Sequence, residues 1–297
     1  MEVGFSIDPR QGLSPEDELA AVRLGAELGY ASAWTPAGGD AEPFERCLRW
    51  YRAAGLATGI LVQPASAQPP SFYAAPARRL WAETQGHFVL GIGSGGMAHP
   101  LPGMAVYLES LRQLLPERAP LYAAALGPGM LRLAAEVADG VALNWCSTEQ
   151  VAWSRARVAQ AAAAAGRTPP RVVEYIRTAV DPDPELARRS LEGACRAYAR
   201  GPKAYRRHFE RMGLAPNPDP AAEGPIPAAA VARVGAAGAP GEVLSQVEDL
   251  AQGLDLAIVR VVVCQPGSRT SAELVLRECA PQAGSAGAGR ADPAKGS

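Results

Sequence analysis

The sequence carries almost no net charge: 29 Lys and Arg stand against 30 Asp and Glu over 297 residues, a balance of -1. Without a basic excess, nucleic acid is disfavoured as the main partner, because binding a phosphate backbone rests on neutralising its charge. Metal-ligand spacing is also missing. The five cysteines, Cys47, Cys146, Cys195, Cys264 and Cys279, form no CxxC pair and are odd in number. That pattern predicts neither a metal site nor a closed disulfide framework, but small buried thiols in a reducing compartment. No apolar run approaches the ~18 residues of a membrane span. The opening Met1-Glu2-Val3-Gly4-Phe5 shows neither the basic nor the apolar region of an export leader. A cytoplasmic chain without membrane partners is expected. Aromatic residues are scarce at 6%, and alanine supplies more of the 48% apolar fraction than any other residue, so the core must be built largely from Ala, Val and Leu. Gly 31 and Pro 27 mark many breaks, yet their share stays below the roughly 25–30% that signals wholesale disorder.

Between those breaks, short apolar runs alternate with longer segments of helical spacing. Val3–Ile7 reads as a strand. Ser14-Pro15-Glu16-Asp17 then supplies an N-cap, an N1 proline and first-turn acids for a helix through about Leu28. Further strands are predicted at Ala31–Trp34, Leu56–Val62, His87–Gly93, Pro120–Leu126, Gly140–Trp145, Arg171–Val180 and Ile258–Val263. Helices fall at Ala41–Ala54, Pro70–Thr84, Met104–Leu115, Pro128–Ala138, Thr148–Ala165, Gly241–Gln252 and Ser271–Cys279. Residues 181–240 interrupt the rhythm with helices at Pro184–Ala199 and Lys203–Met212 and then a Pro/Ala/Gly-rich stretch, which reads as an insertion. Eight strands joined by helices predict an α/β fold, a closed parallel (β/α)8 TIM barrel with a helical insertion between strands 7 and 8. A doubly wound open sheet is the alternative. Residues 1–281 are expected to form the barrel and 282–297, nearly devoid of core-forming side chains, a disordered tail.

Loops at the C-terminal strand ends build the site of such a barrel. Strand four runs into Gly91-Ile92-Gly93-Ser94-Gly95-Gly96, whose bare backbone N–H groups either cradle an anion or make a tight turn. Strand five ends in Gly127-Pro128-Gly129-Met130, with a proline at N1, which leaves free N–H groups at a positive helix end or forms an ordinary βα turn. Asn144, after strand six, either caps the next helix or bonds a ligand. Trp34, Trp145 and Tyr175 near strand ends either wall an apolar pocket for a planar ring or pack in the core. The basic run Lys203-Ala204-Tyr205-Arg206-Arg207-His208 is either a solvated face or a partner for an acidic group.

In their order, several segments resemble the bacterial-luciferase-like family of flavin- and deazaflavin-dependent oxidoreductases, most closely its coenzyme F420-dependent branch. They are Ala26–Trp34, Thr58–Pro64, Gly86–Gly95, Ala123–Asn144 with its Leu-Gly-Pro-Gly-Met core, and Val234-Gly235 to Val263. The resemblance implies a barrel holding F420 or FMN, with the cofactor phosphate near Gly93, Ser94 and Gly95 and near Gly127, Pro128, Gly129 and Met130. It also implies a bulge at Ile60-Leu61, often with a non-proline cis peptide, against the cofactor ring. An acidic tail such as that of F420 would suit the Lys203–His208 helix.

The chain departs from the family in three places. Pro36-Ala37-Gly38 replaces the acidic-His pair after strand two, Gln68-Pro69 replaces a His-Pro, and Gly96 stands where a glutamate proton donor is used. His99, three residues on, becomes the candidate polar catalytic contact, since imidazole can shuttle protons near neutral pH. His87, at a strand start, is expected to be structural, and His208, in the insertion, to lie at the surface.

The leading expectation is an F420-dependent oxidoreductase passing a hydride between the deazaflavin C5 and a small organic substrate. The alternatives are an FMN-dependent monooxygenase and a barrel that binds the cofactor without turnover. A phosphate-binding aldolase or isomerase is disfavoured because no strand end offers a suitable Lys or Glu/His pair. The assembly is left open by the sequence; members of the family are often dimers, so the resemblance allows a homodimer.

Overall fold

The structure, a computed structural model, describes residues 1–214 and 226–282. The expected tail from residue 283 onward, and residues 215–225 of the insertion, lie outside these. Among the described residues no helix is long and apolar enough to cross a membrane.

The elements run β1 (Glu2–Ser6), α1 (Pro15–Glu27), β2 (Ser32–Thr35), α2 (Glu42–Ala54), β3 (Ala57–Pro64), α3 (Pro70–Glu83), β4 (Phe88–Gly93) and α4 (Pro100–Leu114). They continue with β5 (Leu121–Ala124), α5 (Pro128–Val137), β6 (Gly140–Asn144), α6 (Thr148–Ala164), β7 (Arg171–Val180), α7 (Pro184–Ala199), α8 (Lys203–Arg211) and α9 (Ala228–Val231). The chain closes with β8 (Gly235–Gly238), α10 (Leu244–Leu250), β9 (Leu256–Val261) and α11 (Arg269–Glu278). Local chemistry sets the helix ends, the first of them as anticipated. Ser14 accepts from the Asp17 N–H at 3.1 Å ahead of Pro15, for example, and Gly55 closes α2 in the left-handed region.

All pairings are parallel, and β1 pairs with both β2 and β9 while β7 pairs with β6 and β9. The eight strands other than β8 therefore close into the (β/α)8 barrel. A ninth strand, β8, was not anticipated. Gly235–Gly238 pairs with Arg177–Val180, on the edge of β7 that β6 occupies lower down at 171–175. Only the upper half of β7 outlasts β6, and the last residues of the insertion use that free edge.

Two apolar layers follow from the alternation of strand residues. Outward-facing residues such as Phe5, Leu90, Val141 and Val259 pack beneath the helices. Inside the barrel lie Trp34, Leu61, Tyr122, Ala142, Val173, Tyr175, Leu256 and Ile258. Trp34 and Tyr122 stack with ring centroids 6.3 Å apart, and the Trp34 indole N–H is satisfied by Ser32 Oγ at 2.8 Å. The indole has room because β3 carries glycine at the facing position: a Cβ on Gly59 would lie 2.1 Å from the Trp34 ring. All five cysteines are buried and free.

Candidate active site at the barrel mouth

The third strand breaks its ladder on the way to the mouth. Ile60 pairs with Leu90, but the next paired residue is Gln63, opposite Ile92, and the Leu61–Val62 bond between them is cis. The irregularity thus lies one bond beyond the expected Ile60-Leu61 pair. Gly91 makes space for it, since a Cβ there would sit 2.4 Å from Leu61 Cδ2 and 2.7 Å from the Ile60 carbonyl oxygen. Gln63 pins the bulge from above: its fully buried amide donates to the Asp40 carbonyl at 2.9 Å and accepts from the Gly39 N–H at 3.2 Å.

The glycine loop after β4 packs on the loop after β3. Gly95 has φ +58° and its Cβ position lies 2.4 Å from Ser66 Oγ, while Gly96 N–H donates to that same oxygen at 2.9 Å. Turn geometry therefore accounts for part of the glycine run. The β5 end differs. Gly127 caps α5 with no side-chain hydrogen bond, and Pro128 takes N1, so the first-turn N–H groups lack a side-chain acceptor. Arg211, at the end of α8, donates to the Leu126 carbonyl at 2.8 Å, with Nη2 3.9 Å from where a Gly127 side chain would begin. Helix end and guanidinium together make a positive locus for an anion.

Sequence reasoning missed the charged interior of the mouth. Ser6, Arg177 and Arg260 lie in register on β1, β7 and β9. Arg260 donates to Ser6 Oγ at 3.2 Å, pairs with Asp8 at 2.6 Å, and stands 4.7 Å over the Tyr175 ring. Arg10 holds the same Asp8 at 2.8 Å. Burial works to raise the Asp8 pKa, but the hydrogen bond from Arg10 and the charge of Arg260 outweigh it and keep the carboxylate below its ordinary range. Arg177 bonds Asn144 Oδ1 and lies 4.1 Å over Trp145 and 4.8 Å over Tyr198. Asn144 gives its amide N–H to the Tyr205 hydroxyl, so its two polar ends are engaged within the protein. One signal was present: each arginine interrupts an otherwise apolar strand, in Tyr-Ile-Arg-Thr-Ala-Val and Ile-Val-Arg-Val-Val-Val.

Behind this layer α8 covers a second buried group. His208, expected at the surface, is fully buried. Its Nε2 meets the Trp145 carbonyl at 2.9 Å and Cys146 Sγ at 3.7 Å. Burial drives its pKa down to about 4, which keeps the ring neutral. Glu174 accepts from the Cys146 N–H at 2.6 Å, and burial pushes its carboxyl up to about 8. The misplacement came from reading Lys203–His208 as a charged run. Tyr205, His208, Phe209 and Met212 recur at helical spacing, and His208, Phe209 and Met212 form a buried stripe with Tyr205 half-buried beside them.

Residues 103–255, more than half the chain, match the model of the luciferase-like monooxygenase family. The chain belongs to that family. Among curated proteins none matches it. Solved structures share the fold. The coenzyme F420-dependent tetrahydromethanopterin reductase from Methanopyrus kandleri has 17% identity and a TM-score of 0.70, covering 94% of this chain and 98% of that one. An F420-dependent secondary alcohol dehydrogenase has 13% identity and a TM-score of 0.73, covering 93% and 97%. The monooxygenase RslO1 from Streptomyces bottropensis has 19% identity and a TM-score of 0.70, covering 94% and 98%.

For a luciferase-like oxidoreductase, the expected site residues are unevenly placed. Trp34 and Tyr175 lie together in the barrel interior with Leu61. Trp145 has left that space: at φ +55° its ring turns under α7 and α8, against Tyr198 at 5.7 Å and Phe209 at 6.5 Å. His99 caps α4, is exposed, and bonds no group among the described residues through its ring. His87 sits at the opposite end, with Nδ1 2.8 Å from the Thr84 carbonyl. A cavity of about 500 Å³ lies outside the barrel, between α7, α9 and β8, and is mostly apolar with charges at its rim. It offers no chemistry to compare with the mouth.

Proposed function

We propose that the chain is an F420-dependent oxidoreductase that transfers a hydride between the deazaflavin C5 and a small organic substrate at the barrel mouth. The observation that carries this reading is the positive locus at the β5 end. Gly127 and the first turn of α5 would hold the cofactor phosphate with Arg211, assisted by Gly93, Ser94 and Gly95 across the mouth. Lys203, Arg206 and Arg207 are exposed on the same helix as Arg211, which suits a cofactor with an acidic tail.

The remaining residues fit a planar ring. The Ile60–Gln63 bulge, relieved by Gly91, turns Leu61 and Val62 toward the interior, where the ring would rest. When bound, such a cofactor supplies the hydride chemistry. The chain's task is then to bind, orient, exclude water and manage protons. An FMN-dependent monooxygenase is the second reading, favoured by the family to which the chain belongs. Calorimetry of the apoprotein separates the two. Micromolar binding of F420 with negligible FMN binding supports the first, the converse supports the second, and binding of neither sinks both.

Gly127→Asp tests the phosphate locus. Gly127 has φ -113°, open to any residue, and a Cβ there meets nothing nearer than Arg211 at 3.9 Å. Aspartate is also a good N-cap, so α5 should be unharmed or stabilised. Affinity for F420 is nonetheless expected to fall at least about tenfold, because a carboxylate would occupy the anion's place. Unchanged affinity in a folded variant would show that the phosphate lies elsewhere.

A further inference from the structure

The mouth holds more positive charge than its carboxylate can answer. Arg10, Arg177 and Arg260 converge on it, and Asp8 is already shared by Arg10 and Arg260. Arg177 forms no ion pair among the described residues, and its neighbours are the Asn144 amide and two aromatic faces. Such a surplus stabilises an anion formed beside it.

Tyr198 is the hydroxyl on which this surplus acts. It comes from the last turn of α7 and stands edge-on to Tyr205 at 4.8 Å, with the Arg177 guanidinium 4.8 Å over its face. Burial works to raise its pKa, but Arg177, then Arg260, then Arg10 outweigh it and hold the phenol below its usual value. The adjacent phenols behave in the ordinary way, with burial pushing both Tyr205 and Tyr175 up to about 12. His99, by contrast, has no charged or polar side-chain partner among the described residues.

We propose that Tyr198 is the proton donor and acceptor of the barrel mouth, exchanging its phenolic proton with the oxygen of a carbonyl or alcohol substrate bound there. This inference rests on the redox reading above. In the reducing direction a bound reduced cofactor would supply the hydride to the carbonyl carbon. The Tyr198 O–H bond breaks, its proton passes to the carbonyl oxygen, and the electron pair remains on a phenolate facing Arg177, Arg260 and Arg10. In the oxidising direction that phenolate would take the alcohol proton while the carbon gives its hydride to the oxidised form of a bound cofactor. A phenol held below its ordinary value serves both directions better than one at about 10.

Near-ultraviolet titration of the full-length apoprotein tests the poise of the residue without any cofactor. The wild type should form one phenolate below the ordinary tyrosine value of about 10. Tyr198→Phe should lack it, and Arg260→Gln should move it upward. A wild-type curve identical to that of Tyr198→Phe below about 10 would overturn the proposal. In F420-loaded protein, Tyr198→Phe should lower kcat for benzaldehyde reduction about 100-fold or more while leaving F420 affinity unchanged. Retained kcat would remove Tyr198 from the reaction. Should neither F420 nor FMN bind, the redox reading fails, and the titration still decides whether the arginines hold the Tyr198 phenol below its ordinary value.

Discussion

Replacing Glu174 by Gln is expected to flatten the alkaline limb of the stability curve. The buried carboxyl titrates at about 8 in the folded chain against an ordinary 4.5. Its contribution is therefore complete below about 4.5 and is lost as the pH rises through about 8, because the folded state holds a proton that the unfolded state has given up. His208 acts in the opposite sense. With its pKa lowered from 6.5 to about 4, its contribution is complete above 6.5 and is lost as the pH falls through about 4. The two slopes oppose each other where they overlap, and above about 6.5 Glu174 acts alone. One pH unit corresponds to about 1.4 kcal/mol, so the wild type should lose on the order of 2 kcal/mol between pH 6.5 and 8. A glutamine can still accept from the Cys146 N–H, which keeps the one hydrogen bond Glu174 makes there. Urea midpoints across this range, measured for both proteins, check the argument, and parallel curves would refute it.

Gly59→Ala is expected to cost about 3 kcal/mol or more, since the new Cβ has nowhere to go. It would fall 2.1 and 2.3 Å from two Trp34 ring atoms. The ring cannot swing away cheaply, being tied to Ser32 through its N–H and stacked on Tyr122. Backing off the strand is no easier, because Gly59 pairs with Trp34 on one side and Val89 on the other. Combining it with Trp34→Phe should cost less than the sum of the two single changes, as expected for directly touching groups. Chemical denaturation measures both, and a Gly59→Ala protein within about 0.5 kcal/mol of wild type would show that the interior yields.

Much of the barrel was legible because each strand had to be apolar on two faces and each helix on one. Val141-Ala142-Leu143 could be read as buried strand, and Ser14-Pro15 as a helix start, without tertiary information. β8 could not, since Gly235-Ala236-Ala237-Gly238 has no branched or aromatic side chain. It is a strand because β7 presents an unpaired edge, a fact about the partner. At the mouth, the Gly127-Pro128 helix start was legible from local residue types, whereas the bulge near Leu61 was expected only from the family resemblance. The charge of the mouth was not legible. Arg10, Arg177, Arg260 and Tyr198 lie far apart in sequence, and they meet only because strand register and the return of α7 bring them together.

The length of β7 also fixes where this protein can be cut. Ten residues long, it carries β6 and β9 along its lower part and β8 beside its last four residues. Arg177 belongs at once to the barrel wall, to the charge of the mouth and to the strand pair that secures the insertion. An exchange of insertions between relatives with joints at Val180 and Gly241 would graft new helices onto an edge shaped for the old β8. The natural cassette starts lower, before Arg177, and a chimaera built there would bring its own mouth chemistry with it.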